Sequence, residues 1–113
     1  MPRELPLLNE ILVQINRIPG VRAWRQNSGL LMAGSGRMVR AGLPGCGDIT
    51  GIVTWERGCG HRLELEIKTP GVTQSEQQEA FETMVTSRGG IYILARTVDD
   101  AINGIHSARR HGP

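Results

Sequence analysis

The chain has 113 residues, 39% of them hydrophobic and only 4% aromatic, enough for one domain whose modest core is built from Leu, Ile, Val, Ala and Met. No apolar run reaches the length of a membrane span, and Met1-Pro2-Arg3-Glu4 lacks the basic-then-apolar layout of a signal peptide, so cytoplasmic residence is the expectation. A net charge of +2 and a pI near 8.9 are compatible with nucleic acid without specifying it.

Leu5, Leu8, Ile11, Leu12 and Ile15 recur at helical spacing and predict an amphipathic helix from Glu4 to Arg17, stopped by Pro19-Gly20. Glu4 lies at the edge of the apolar face while Glu10 points the other way, and a carboxylate on the buried side of a helix has a partner or a task. Val21–Gln26 alternates as a strand does and is followed by Asn27-Ser28-Gly29. In the glycine-rich stretch from Gly29 to Gly47, a second, arginine-bearing strand is predicted over Gly36–Gly42. Arg22, Arg25, Arg37 and Arg40 fall in this half of the chain, whereas most acids lie between Glu56 and Glu82. Leu43-Pro44-Gly45-Cys46-Gly47 is a turn that delivers Asp48 to a strand over Ile49–Thr54. Glu56–Gly60 reads as a hairpin loop, and Arg62–Thr69 as the returning strand.

That returning strand carries the chemistry. Within Leu63-Glu64-Leu65-Glu66-Ile67-Lys68-Thr69-Pro70, the period of two sets Glu66 and Lys68 on one face. A lone Glu-x-Lys is most often a salt-bridged pair on a solvated face. With a second carboxylate, Asp48, on a neighbouring strand, the set suits metal-assisted hydrolysis of a phosphodiester. The carboxylates would hold a hard cation, Mg²⁺ or Mn²⁺, and the lysine would orient or deprotonate a water. Glu64 alternates onto the same face as a further candidate acid.

After Pro70-Gly71, a helix is predicted over Ser75–Ser87, with Ser75 as N-cap and Gln78 in the first turn. Ile91–Ala95 is an apolar strand of the kind found at buried central positions, and Val98–Arg109 is a last helix opened by Asp99-Asp100. Cys46 and Cys59 are expected to be free thiols, since Cys59-Gly60-His61 has neither the spacing nor the fourth ligand of a structural zinc site. The elements predict one α/β domain over residues 1–113, a mixed β-sheet flanked by helices, with no internal repeat or linker.

That order, with Gly-x-x-Asp and then Glu-x-Lys on consecutive strands, resembles the PD-(D/E)XK nuclease superfamily and, within it, the small stand-alone VRR-NUC domains of phage and repair proteins. The likeness runs through Glu4, Trp24-Arg25-Gln26-Asn27-Ser28-Gly29, Gly45-Cys46-Gly47-Asp48-Ile49, Glu66-Ile67-Lys68-Thr69-Pro70-Gly71 and Ser75-Glu76-Gln77-Gln78-Glu79-Ala80-Phe81. The resemblance implies a restriction-endonuclease-like core in α-β-β-β-α-β order, in a viral protein acting in its host or a bacterial one. It implies Asp48 and Glu66 as metal ligands, the main-chain carbonyl of Ile67 as a third oxygen, and Lys68 beside the attacking water. Glu4 would stand at the edge of the site and Gln78 would support the lysine or the metal shell.

One departure is that the family has proline where this chain has Gly47 before the aspartate, which predicts a looser approach to the strand. Arg25, Asn27, Arg37 and Arg40 are candidate phosphate contacts by residue type. The expected activity is metal-dependent cleavage of branched DNA, such as four-way junctions, by a homodimer. The alternatives are a DNA-binding or assembly module of the same fold without catalysis, and a sequence-specific restriction-type enzyme.

Overall fold

The computed structural model describes residues 4–26, 29–32, 34–55 and 58–112, leaving outside the description the side chains of Glu4, of 29–32 and of 39–41. The elements are α1 (Glu4–Ile15), β1 (Val21–Arg25), β2 (Gly29–Met32), β3 (Met38–Ala41), β4 (Ile49–Trp55), β5 (Cys59–Ile67), α2 (Glu76–Thr86), β6 (Ile91–Ala95) and α3 (Val98–His111). Four strands form one sheet in the order β1-β4-β5-β6, antiparallel except for the parallel pair β5-β6, and β2 and β3 form a separate antiparallel hairpin. Set that hairpin aside, and the chain runs α-β-β-β-α-β-α around a four-stranded mixed sheet. Among the described residues, no helix is long and apolar enough to cross a membrane.

One face of the sheet is a continuous apolar layer. Leu8, Ile11 and Ile15 of α1 and Ala101, Ile105 and Ala108 of α3 close over Val21, Ala23, Ile49, Val53, Leu63, Leu65, Ile67, Ile91, Ile93 and Ala95. The odd-numbered positions of β4 and β5 thus point toward α1 and α3, and the even-numbered ones toward the face that carries α2. The β5-α2-β6 crossover joins the two parallel strands, as a helical connection must. Both later helices start on reciprocal caps. Ser75 Oγ accepts from Gln78 N while Gln78 Oε1 accepts from Ser75 N, and Thr97 and Asp100 repeat the exchange at α3.

Several boundaries differ from the sequence expectation for local reasons. Helix α1 stops at Ile15, not Arg17, because the Asn16 side chain turns to β1: its Nδ2 donates to Ala23 O at 3.0 Å and its Oδ1 accepts from Ala23 N at 2.8 Å. These bonds fill part of the open edge of the sheet. Strand β5 begins at Cys59, paired with Trp55, so the connection from β4 is shorter than the expected loop, of which Glu56 and Arg57 lie outside the described residues. The strand ends at Ile67. The glycine-rich region holds two strands where one was expected. Finally, β6 is an edge strand, not a central one; its apolar composition comes from helices packed on both its faces.

Candidate active site

The even-numbered face of the sheet sets its side chains in rows. Register places Trp24 opposite Thr50 and Thr50 opposite Glu64, and Arg22 opposite Ile52 and Ile52 opposite Arg62. Just before the last pair, Ile49 with Leu65, Asp48 is tied to both neighbouring strands' ends: Asp48 N donates to Leu65 O at 2.8 Å, and Gln26 N donates to Asp48 O at 2.9 Å. Asp48 is thus gripped by main chain on both sides. Its Oδ2 accepts from Ile67 N at 2.8 Å, which fixes the carboxylate at the end of the strand. Since a strand residue turns its N–H and C=O to the same edge, the Ile67 carbonyl faces that side as well.

Glu66 is 6% exposed and is held from two directions. Gln78 Nε2 donates to its Oε2 at 2.9 Å, and Lys68 Nζ stands 3.8 Å from the same oxygen. The cap of α2 sets the amide: with Gln78 Oε1 bound to Ser75 N, its Nε2 is left facing Glu66. Asp48, Glu66, Lys68 and Gln78, which the sequence picks out, are brought together by the structure. Tyr92 and Gln74 join them unannounced. Gln74 Nε2 donates to Tyr92 Oη at 3.2 Å and to Glu82 Oε1 at 3.1 Å. Burial pushes the Tyr92 phenol up to about 12, against the lowering effect of Gln74, and the carboxylates of Glu66, Glu82 and Asp48 add to the rise. Burial is thus the main cause of the rise, with the three carboxylates as smaller contributions. The sequence signal for Tyr92 was its alternation within β6, visible only once β6 is known to lie beside β5.

Glu64 turns out to be an anchor. It is fully buried, and both its oxygens are engaged by the protein. Oε1 accepts from Gln26 Nε2 at 3.2 Å and from Gly47 N at 3.3 Å; Oε2 accepts from Thr50 Oγ1 at 2.7 Å and from Arg62 Nε at 2.9 Å. The last bond belongs to an ion pair whose other contact, from Arg62 Nη2, is also 2.9 Å. A carboxylate so occupied has no donor capacity left for a cation, so alternation alone misleads here. Its work is to tie Gly47, and with it the backbone leading into Asp48, to β5. Gly47 is accordingly held and not loose. A Cβ there would lie 2.7 Å from Leu65 O, and proline would also lack the N–H that Glu64 accepts.

The remaining sequence candidates are dispersed. Glu4 opens α1, with its side chain outside the described residues, and Glu10 is exposed on α1. Arg25 pairs with Ile49 and so lies on the face opposite Glu66, Arg37 is exposed between β2 and β3, and the Arg40 side chain and Asn27 lie outside the described residues. Cys46 and Cys59 are free thiols. Among the described residues, no three His, Cys, Asp or Glu side chains converge as a metal-binding group. Two carboxylates and a main-chain carbonyl nevertheless fit a hard cation of the Mg²⁺ kind, which keeps several waters and takes one or two carboxylates from a protein. No family model, no curated protein and no solved structure matches this chain.

Proposed function

We propose that this chain is a divalent-metal-dependent, structure-selective endodeoxyribonuclease of the VRR-NUC type, with the restriction-endonuclease-like core of the PD-(D/E)XK superfamily. One observation carries the reading: Asp48 Oδ2 accepts from Ile67 N at 2.8 Å, between Glu66 and Lys68 in sequence, and Lys68 Nζ stands 3.8 Å from Glu66. The order α1-β1-β4-β5-α2-β6 around the mixed sheet supports it. Asp48, Glu66 and the Ile67 carbonyl would hold Mg²⁺ or Mn²⁺, which when bound polarises the scissile phosphate and acidifies a water. Lys68 aligns the attacking water and offsets the charge that grows on the phosphorane as the P–O bond breaks. Gln78 keeps the Glu66 carboxylate turned into the site, and Glu64 holds the Gly47 backbone that leads into Asp48. By the resemblance, Glu4 would serve the edge of the site.

The described elements α1 to α3 build the sheet and its covering helices, and the proposed selectivity comes from DNA shape. A junction or flap is already bent or open, and its deformation costs less than that of a straight duplex. A homodimer would present two such sites to one branched substrate. The test incubates the pure protein with four-way junctions of unrelated sequence, flaps, single strands and matched linear duplexes, with Mg²⁺, Mn²⁺ or EDTA. Cutting of branched DNA only with metal, and regardless of sequence, is the expected result. Absence of cutting with either metal would leave a binding module, and cutting confined to one short sequence would make the protein a restriction-type enzyme.

A further inference from the structure

Helix α2 lies toward the β6 side of the sheet and leaves the β1-β4 half of the same face uncovered. There Trp24 is 48% exposed and Ile52 46% exposed, on adjacent strands one row apart. They line a concavity of about 500 Å³ whose floor Gly60, having no side chain, leaves open. Arg22 and Arg62 flank Ile52 from either side in its own row. Arg62 is held by Glu64 through two nitrogens yet keeps 61% of its side chain exposed, so its guanidinium is oriented at the rim.

We propose that this face is a stacking platform for the unpaired bases of a DNA strand that leads into the site at Asp48 and Glu66. It rests on the nuclease reading for the identity of the strand. A flat indole beside an aliphatic side chain, with guanidinium groups alongside, is what successive bases and their phosphates require. Continuity gives the direction: Glu64, in the row of Trp24 and Thr50, is one pleat repeat, about 7 Å, from Glu66 on the same face of β5. Two exposed apolar side chains are too few for the centre of a stable protein interface, which engages about 20–30 residues a side. The platform would thereby select opened DNA over intact duplex, whose bases cannot reach an indole.

Fluorescence anisotropy in EDTA, where no cutting occurs, tests this with a labelled oligothymidylate and a hairpin duplex. Trp24→Ala is expected to weaken oligothymidylate binding about tenfold, the weight of one base on an aromatic ring, and duplex binding by less than about twofold. Trp24→Phe restores most of the loss, and an unchanged thermal unfolding profile shows that the fold is intact. Equal oligothymidylate affinity in wild type and Trp24→Ala overturns the platform even if the protein cuts junctions. So does a Trp24→Ala variant that loses only a dimeric mass by light scattering, which would make this face a contact between copies. Trp24-dependent binding by a protein that cuts no DNA upholds the platform and removes the nuclease reading.

Discussion

Each of the three central side chains has its own signature on substitution. Asp48→Ala and Glu66→Ala are expected to abolish cleavage and to weaken Mn²⁺ binding measured by calorimetry, because each removes a charged oxygen donor. Lys68→Ala should abolish cleavage and leave Mn²⁺ binding in place; near wild-type cutting by any of the three would refute the site. Gln78 has two tasks that can be separated. Gln78→Ala removes both half of a capping box and the bond to Glu66, at a cost of about 1 kcal/mol in urea unfolding together with a partial loss of activity. Gln78→Glu retains a good capping residue but sets a second carboxylate against Glu66, so activity should fall while stability changes little. Tyr92 supplies a pH signature. Because its folded-state value is raised from 10.0 to about 12, the folded chain holds the proton more tightly than the unfolded chain. The resulting stabilisation is intact below pH 10 and is lost as pH climbs toward 12. Tyr92 is the chain's one tyrosine, so tyrosinate absorbance reads this ionisation without overlap. A midpoint near 10 would show that neither burial nor the acids raise it.

At the scale of elements, the turn before β4 is a wedge between β5 and α2. Gly45 has φ +81°, and a Cβ there would lie 2.2 Å from Gln77 O, at the start of the helix that carries Gln78. Gly47 sits against Leu65 on the other side. The loop thus sets the spacing between the strand that bears Glu66 and the helix that holds it. Gly47→Ala is expected to cost about 2 kcal/mol in urea unfolding, as overpacking against main chain does, and to reduce cleavage beyond what the loss of folded protein explains. Unchanged stability and activity would mean that the wedge relaxes freely. Glu64 belongs to this level too, since its bonds run to Gln26 just past β1, to Thr50 of β4, to Gly47 of the turn and to Arg62 of its own strand.

For the whole molecule, the apolar layer is served by α1 and α3 on one face only, while the other face combines a polar network with the buried Phe81 and Val85 of α2. A chain of this size buries a limited fraction of its surface, and Leu5, Val13 and Val72 remain exposed outside the proposed DNA face. Pairing of two copies is therefore expected, with a light-scattering mass near twice 12.4 kDa at micromolar concentration. A clean monomer mass would remove the dimer and with it the basis for paired cuts.

Helix α2 and its cap, helix α3, strand β6 and the Glu-x-Lys strand were legible in the sequence because local chemistry specifies them: Ser75 with Gln78, Asp99-Asp100, and strict alternation from Leu63 to Ile67. Asp48 and Glu66 could be picked out as a pair, since consecutive antiparallel strands bring their ends together. Sequence by itself could not say that Glu64 would be an anchor and Glu66 a site acid, because alternation is blind to where a neighbouring loop returns; only the closing of Gln26, Gly47, Thr50 and Arg62 on Glu64 decides it. Nor could it place β6 at the edge or say which of Arg22 and Arg25 shares the face of Glu66, since both depend on strand order and pairing across β1 and β4. Local propensity sets the elements, and long-range register decides which side chains share a face.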